Sequence, residues 1–493
     1  MNKTLNILEM LQDIMGAKLG HLIGLTKGYW AYTGKFSITN ISRWTIGGST
    51  RSNERFYAEE QDWVSNTVLL TEPFFLNHQE ANPGHKHECI LAFDETIGKK
   101  AGNHTHGVGI HYSSKDQCCI KSIAIMELSI IDPKTKLSIP FIHQQLEFPR
   151  VEKVDKKKKS KKKAKKKPKK KAEKEPKKKE RMPTTSKQSS KGKKDAVAEK
   201  KVGRPKGSKN KPKQEVQNTV LAYTFQVLQQ TLAIFKQQYD KSMFALVVCK
   251  YGIGDGAYGN NTAAKLCSEV GLDLISKLQF NAALYFPFKG EYGGKGAPKK
   301  YGDKINYDTF EVDYAKYLVE QQVQSDGAIW KIYHLNSMLH KKFDIPLNVI
   351  IVFKYHANGV YKGRRSNAIL FSTDLEASPI TISTYYQSRF QIEFDFRDGR
   401  QFFGLQHFKN IKKTQVTNVI GFAFFMVALS RILLHKLRLQ NPGKTIGIED
   451  LKAFFRAEKY FNELLNMDGF EPSEFLNKDS FKNIPLVGMI NAA

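Results

Sequence analysis

Residues 88–98 read ECILAFDETIG. Five apolar residues, Cys89 to Phe93, run straight into Asp94 and Glu95. A short apolar run of this length is the pattern of a buried strand. It predicts Asp94 at the strand's C-terminal end, where a carboxylate leaves the sheet for solvent. Downstream, THGVGIHYSS (105–114) and CIKSIAIMELSII (119–131) follow at the short intervals of an antiparallel meander. Upstream, residues 1–80 read as helical, with Leu5, Leu8, Leu11 and Met15 at helical spacing. Within them, NISRWTIGGSTRSNERFYAEEQDW (40–63) divides at Gly47-Gly48 into two helical stretches. Arg51 and Arg55 on the second suit a small DNA-binding unit, although an ordinary helical hairpin gives the same pattern.

Composition then changes abruptly. The formal net charge of the 493 residues is +30. Residues 153–213 hold 30 Lys or Arg against 6 Asp or Glu, so +24 of it sits in one segment. KKKKSKKKAKKKPKKKAEKEPKKK (156–179) has no apolar periodicity and is expected to be a disordered insertion. Such a polycation binds phosphate backbones through counterion release. GRPKGSKNK (203–211) resembles an AT-hook, with Arg204 and Lys206 placed to enter an A·T minor groove. A nonspecific tether would look the same. The longest apolar run, Val419 to Leu429, is too short to span a bilayer, so no membrane role is expected. The N-terminus carries no signal-peptide pattern. None of the five cysteines forms a CxxC pair, which argues against a zinc site or a disulfide framework and fits a reducing compartment. Cys118 and Cys119 are expected to be one buried and one exposed thiol. The pairs His85/His87 and His104/His106 read as polar strand or loop residues rather than zinc ligands.

Beyond the insertion, VLAYTFQVLQQTLAIFKQQY (220–239) is an amphipathic helix with Leu221, Phe225, Leu228 and Leu232 on one face. MFALVVCKYGIGDGAYG (243–259) is a buried strand ending in a Gly-rich turn that carries Asp255. Residues 280–372 are strand-rich: NAALYFPF, GAIWKIYHL, LNVIIVFKYHANGVYKG and NAILFSTD. YYQSRFQIEFDFRDGRQFF (385–403) reads as one helix, and VIGFAFFMVALSRILLHKL and EDLKAFFRAEKYFNELL as two more. The class is mixed α/β.

Three acids stand where acids do metal chemistry: Asp94 and Asp255 at strand ends, Glu393 on a helix. Hard cations take carboxylate oxygens, and two of them roughly 3.5–4 Å apart serve phosphoryl transfer. Tyr386, Arg389, Glu393 and Arg400 are spaced Y-x2-R-x3-E-x6-R. At ~100° per residue they share a sector of roughly 60°, which Arg397 joins. A carboxylate flanked by guanidinium groups suits a metal beside a DNA backbone. A solvated face with helical ion pairs such as Glu393–Arg397 is the bland alternative. Asp374 and Asp395 are the next acids in line.

That spacing resembles the signature of the bacterial DDE transposases of the insertion-sequence-four (YREK) group, with Arg400 where the group has Lys. DETIGKKAGNHTHGVGIHYSS is similar to the group's first block, and DGAYGNNTAAKLCSEVGLDLISKLQFNAALY to its second. FGLQHFKN resembles the segment that follows the helix. The resemblance implies an RNase H-like catalytic core interrupted by an all-β insertion, with an N-terminal helical DNA-binding region and a C-terminal helical region. The expected boundaries are 1–80 (helical, DNA-binding), 81–150 (core), 151–215 (Lys-rich insertion), 216–280 (core), 281–372 (β-rich insertion), 373–440 (core) and 441–493 (helical). It implies cut-and-paste transposition through a hairpin intermediate, with Asp94, Asp255 and Glu393 holding two Mg2+ or Mn2+ ions. It also implies an aromatic in the β-insertion that holds a flipped base. Trp330 is the candidate, with a core Trp as the plain alternative. The implied partners are double-stranded DNA, as terminal inverted repeats and target, and a second copy of the chain in a synaptic complex. Cytoplasmic, nucleoid-associated residence in a prokaryote would follow. An inactive, transposase-derived DNA-binding protein and a simple metal-dependent nuclease are the competing functions.

Overall fold

The computed structural model describes residues 7–45, 49–81, 86–147, 219–243, 246–292, 294, 296–363 and 367–467. The Lys-rich segment, with Arg204 and Lys206, lies outside them, as does His85.

Four helices open the described chain: α1 (Ile7–Ala31), bent at Gly16, α2 (Ile38–Ser42), α3 (Thr50–Ala58) and α4 (Trp63–Ala81). Strands β1 (His87–Lys99), β2 (Gly109–Ser113), β3 (Cys118–Ile131) and β4 (Ser138–Leu146) follow. After the Lys-rich segment come α5 (Thr219–Gln238), β5 (Val247–Ile253), α6 (Asn261–Glu269) and β6 (Asp273–Leu278). The strand-rich region holds β7 (Leu284–Pro287), β8 (Tyr301–Lys304), a short α7 (Phe310–Asp313), β9 (Leu318–Val323), β10 (Ile329–His340), β11 (Leu347–Tyr355) and β12 (Ala368–Ser372). Helices α8 (Pro379–Ser388), α9 (Gln391–Phe402), α10 (Lys413–Gln440) and α11 (Ile448–Leu465) close the described chain.

The strands form one mixed sheet. Strand β4 pairs β3, β3 pairs β1 antiparallel, and β5 and β6 continue parallel to β1. The strand-rich region extends the same sheet, because β12 pairs β6 and leads to β11, β10 and then β9, β7 and β8. Strand β4 was not anticipated, although SIPFIHQQL holds enough apolar residues to cover β3.

Helix α10 is central. By length and composition it could cross a membrane, but 89% of its apolar window is buried inside the fold. The run Val419–Leu429 is therefore the middle of a core helix. The N-terminal helices share this core. Trp30 Nε1 donates to Ser430 Oγ at 3.0 Å, and Trp63 Nε1 donates to Asn418 Oδ1 at 3.1 Å. Arg51 and Arg55 are exposed on α3. Of the apolar face expected on α5, Leu228 and Leu232 are buried but Leu221 is exposed. Cys118 and Cys119 are both exposed. They reach past the end of β1, whose pairing stops at Lys99–Ser122, and only β2 covers that stretch of β3.

Lys452 is buried where α11 meets α1, and its Nζ donates to the Tyr29 carbonyl at 2.8 Å. Burial, with Arg456 nearby, lowers its pKa to about 7. Above that value the folded chain has lost a proton that the unfolded chain still holds. Stability therefore rises with pH between the folded and unfolded values. Between pH 7 and 8.5, Lys452 is expected to add roughly 1.5 kcal/mol. Lys452→Met should flatten the rise of Tm with pH in thermal melts. An unchanged slope would show that Lys452 stays charged.

Candidate active site

Asp94 is not at the end of its strand. Strand β1 runs five residues further, to Lys99. What ends near Asp94 is the pairing with β5, whose last partners are Ala92 and Ile253. Asp94 thus lies just past the point where β5 stops pairing, with β3 still paired on its other side. Its Oδ1 accepts from the Glu95 backbone N–H at 2.8 Å.

Asp255 follows β5. It N-caps a short 3-10 turn, accepting from the Ala257 N–H at 2.8 Å. The turn is clamped to β6, since Ser276 Oγ donates to the Asp255 carbonyl at 2.6 Å. Gly254 is required here by close approach. A Cβ at that position would lie 2.6 Å from the Phe93 ring and 2.7 Å from the Tyr258 Cβ. Gly254→Ala is expected to cost about 1–3 kcal/mol and to move Asp255. The measurements are Tm and divalent-ion binding. A variant matching the wild type in both would remove Gly254 from this role. Tyr258, the tyrosine of DGAYG, is buried beneath the turn, with its ring 4.9 Å from Phe93.

The expected single helix at 385–403 is two. Helix α8 ends at Ser388 and α9 begins at Gln391. Between them the Ile392 N–H bonds to the Arg389 carbonyl and the Glu393 N–H to the Phe390 carbonyl, both three residues back. The reason is the sheet beneath: α8 packs on β6, β11 and β12, while α9 packs on β1, β3 and β4. A twisted sheet turns its surface between those strands, and one straight helix cannot follow both.

The break does not separate the key residues. Arg389 Nη1 donates to Asp94 Oδ2 at 3.0 Å, and Nη2 donates to Glu393 Oε1 at 2.8 Å. One guanidinium therefore bridges two of the three acids. Asp255 acts on Asp94 through space. Burial first, then repulsion from Asp255, lifts the Asp94 carboxyl to about 7 despite Arg389. Asp94, Glu393, Arg397 and Arg400 line one open cleft of about 990 Å³, with Lys99 and Lys115 on its rim. Arg400 is anchored by a bond to Thr96 Oγ1 at 2.9 Å. Arg397 lies over the Phe394 ring and holds Asp398. Tyr386 is half-buried, its ring 6.0 Å from the Arg389 guanidinium carbon. FGLQHFKN docks on the end of β1, where Lys100 Nζ reaches the carbonyls of Gln406 and Phe408.

Other residues fall elsewhere. Trp330 is on β10, four strands from β5. Asp374 is engaged by Lys250 at 2.7 Å and Tyr251 at 2.6 Å. Asp395 is fully buried behind the cleft, where it accepts from Ser129 and Ser138 and faces Arg431 at 3.5 Å. Glu127, opposite Asp94 in register, is buried beside Asp395, and both effects push its carboxyl well above the usual range. Glu95 also lines the cleft. Neither glutamate was singled out by sequence, because an acid inside an apolar strand reads as an alternation error until the covering helix is known. His87 pairs Asp132 and His106 pairs Glu147.

Among the described residues, no group of three or more His, Cys, Asp or Glu is close enough to hold a metal ion as it stands. The donor chemistry nonetheless suits a hard cation: Asp94 carries a charge that Asp255 opposes, and a divalent ion would relieve that repulsion.

The sequence model of a family described as "DDE superfamily endonuclease" matches residues 22–341, well over half the chain. The match stops short of Glu393. No curated protein sequence matches the chain. Among solved structures, a cryo-EM structure of a piggyBac transposase synaptic complex with hairpin DNA is similar at 11% identity. That alignment covers 98% of this chain and 86% of the other, with a TM-score of 0.34, too low to bear on the site.

Proposed function

Because the chain belongs to the DDE superfamily endonuclease family, we propose that it is a DNA transposase whose acids are Asp94, Asp255 and Glu393. The carrying observation is the Arg389 bridge. A single guanidinium joins Asp94 to Glu393, 299 positions later in the chain, while Asp255 acts on the same Asp94 carboxyl. The strand order β4-β3-β1-β5-β6, with β5 and β6 parallel to β1, supports an RNase H-like core. The Tyr386, Arg389 and Glu393 constellation supports kinship with the insertion-sequence-four group.

Asp94, Asp255 and Glu393 would hold two Mg2+ or Mn2+ ions, which supply activation of the attacking oxygen and stabilisation of the leaving one. The chain's own groups do the rest. Arg389 keeps the carboxylates from repelling one another and offers donors to a phosphate. Arg400, fixed through Thr96, and the exposed Arg397 meet flanking phosphates. Arg51 and Arg55 offer a second contact with DNA, and the segment 153–213, with Arg204 and Lys206, adds salt-dependent affinity. A hairpin product, a homodimeric synaptic complex and nucleoid residence belong to the same proposal.

The test uses duplexes from the DNA flanking the gene, incubated with Mg2+ or Mn2+. Denaturing gels should show a nick, then a hairpin, then strand transfer. Nicking alone would support a simple nuclease. Binding without metal-dependent cleavage would overturn the enzymatic reading in favour of an inactive DNA-binding protein.

A further inference from the structure

Strand register carries one face of the sheet from the acids to its far side. Ala92 pairs Ile253, Ile253 pairs Ile275, Ile275 pairs Ser372, and Ser372 pairs Asn348. Lys354 on β11 pairs Trp330 on β10. Side chains alternate along each strand, so Asp94, Lys277, Lys354 and Trp330 share one face. Lys362 joins them, because its N–H bonds to the Lys354 carbonyl at 3.0 Å. Lys354 Nζ lies 4.4 Å over the Trp330 ring.

Burial, then Lys277 and Lys362, depress the Lys354 pKa. Asp374, Asp344 and Glu311 pair other lysines, Lys250, Lys265 and Lys331. No ion pair among the described residues reaches Lys277, Lys354 or Lys362. Glu320, on the neighbouring strand, accepts from Gln322 instead. Like charges held together without an acid are stabilised by an incoming polyanion, and this strip lies on the sheet face that carries the acids. Four strand spacings at ~4.8 Å put β11, which carries Lys354, roughly 19 Å across the sheet from β1, which carries Asp94. At ~3.4 Å per base pair, that is about six base pairs of duplex.

We propose that Lys354 and Lys362, with Trp330 beneath Lys354, bind the phosphate backbone of duplex DNA about six base pairs from the bond cut at the acids, and that Lys277, on β6 between them and the acids, meets the same backbone closer in. The position of that bond rests on the proposed function, but the strip's affinity for duplex does not. Trp330 thereby belongs to flanking DNA, not to the scissile nucleotide.

The test measures binding of the full chain to end duplexes, without divalent metal, over a series of salt concentrations. The arms are either shorter or longer than about six base pairs. Lys354→Gln/Lys362→Gln should flatten the plot of log affinity against log salt by about two on long arms. On short arms it should change nothing. Lys299→Gln/Lys300→Gln, on the β8 side, is the control and should leave the long-arm slope alone. Melting curves check that each variant folds. An unchanged slope in the first variant, or equal flattening in the control, overturns the proposal. Flattening confined to the first variant while wild-type chain fails to cleave would sustain the strip and sink the transposase reading.

Discussion

Glu393→Gln is expected to lower metal-dependent strand cleavage by at least about a hundredfold, some 2.7 kcal/mol of transition-state stabilisation. The amide is a poor ligand for a hard cation, while the rest of the cleft is untouched. Folding should survive, because Glu393 is 41% exposed and Arg389 keeps its ion pair with Asp94. Arg389 would still hold Asp94, with less negative charge opposing a phosphate. DNA binding should therefore persist or tighten. Arg389→Ala should differ, weakening binding as well as rate, since it removes a phosphate donor and leaves Asp94 beside Asp255 unshielded. The check is gel-shift and cleavage on the same duplex, with thermal melting as the control. Cleavage by Glu393→Gln within a few-fold of wild type would remove Glu393 from the acid set. Asp374 and Asp395 could not replace it, one being committed to Lys250 and Tyr251 and the other buried.

The largest loss of stability is expected from Arg431→Met. Arg431 on α10 donates to Asp398 at 2.6 Å and faces Asp395 at 3.5 Å, and both acids are buried on α9. Removing one member of a buried ion pair leaves charge without a partner and costs about 3–5 kcal/mol. The deficit should shrink in acid. Burial already lifts the Asp395 carboxyl to about 6, so below that pH it is neutral and no longer needs Arg431. Urea denaturation at pH 5 and pH 7.5 measures both statements. A loss under about 1 kcal/mol at pH 7.5 would mean that Arg397 and the serines suffice for these acids. The same bond carries function, because Asp395 and Asp398 fix α9, and α9 carries Glu393. An Arg431→Met chain that remains folded should therefore cleave more slowly.

How much was legible before folding differs by element. The apolar run of ECILAFDETIG, the Gly-rich turn of DGAYG and the period of α10 and α11 each specify their own secondary structure. The reason is local: alternation, turn chemistry and helical spacing are set by neighbours a few residues apart. The residue types that carry the proposed chemistry, an acid closing each of two apolar runs and a carboxylate among guanidinium groups, were equally visible. What spacing could not supply was where strands stop pairing and which way a helix bends. Near Asp94 it is the pairing with β5 that stops, not β1. Helices α8 and α9 part at Arg389 because two regions of a twisted sheet each bind one of them.

The sequence by itself determined the mixed α/β class, most of the strands and helices, the polycationic segment and the residue types of the proposed acids, since all of these rest on local pattern and composition. Tertiary structure alone decided that Arg389 bridges Asp94 and Glu393, that Asp395 is buried beside Glu127, and that Lys277, Lys354 and Trp330 share the face of the acids. Each of those depends on register between strands far apart in the chain. A shift of one residue turns every side chain of a strand to the other face, and no local pattern records which register wins.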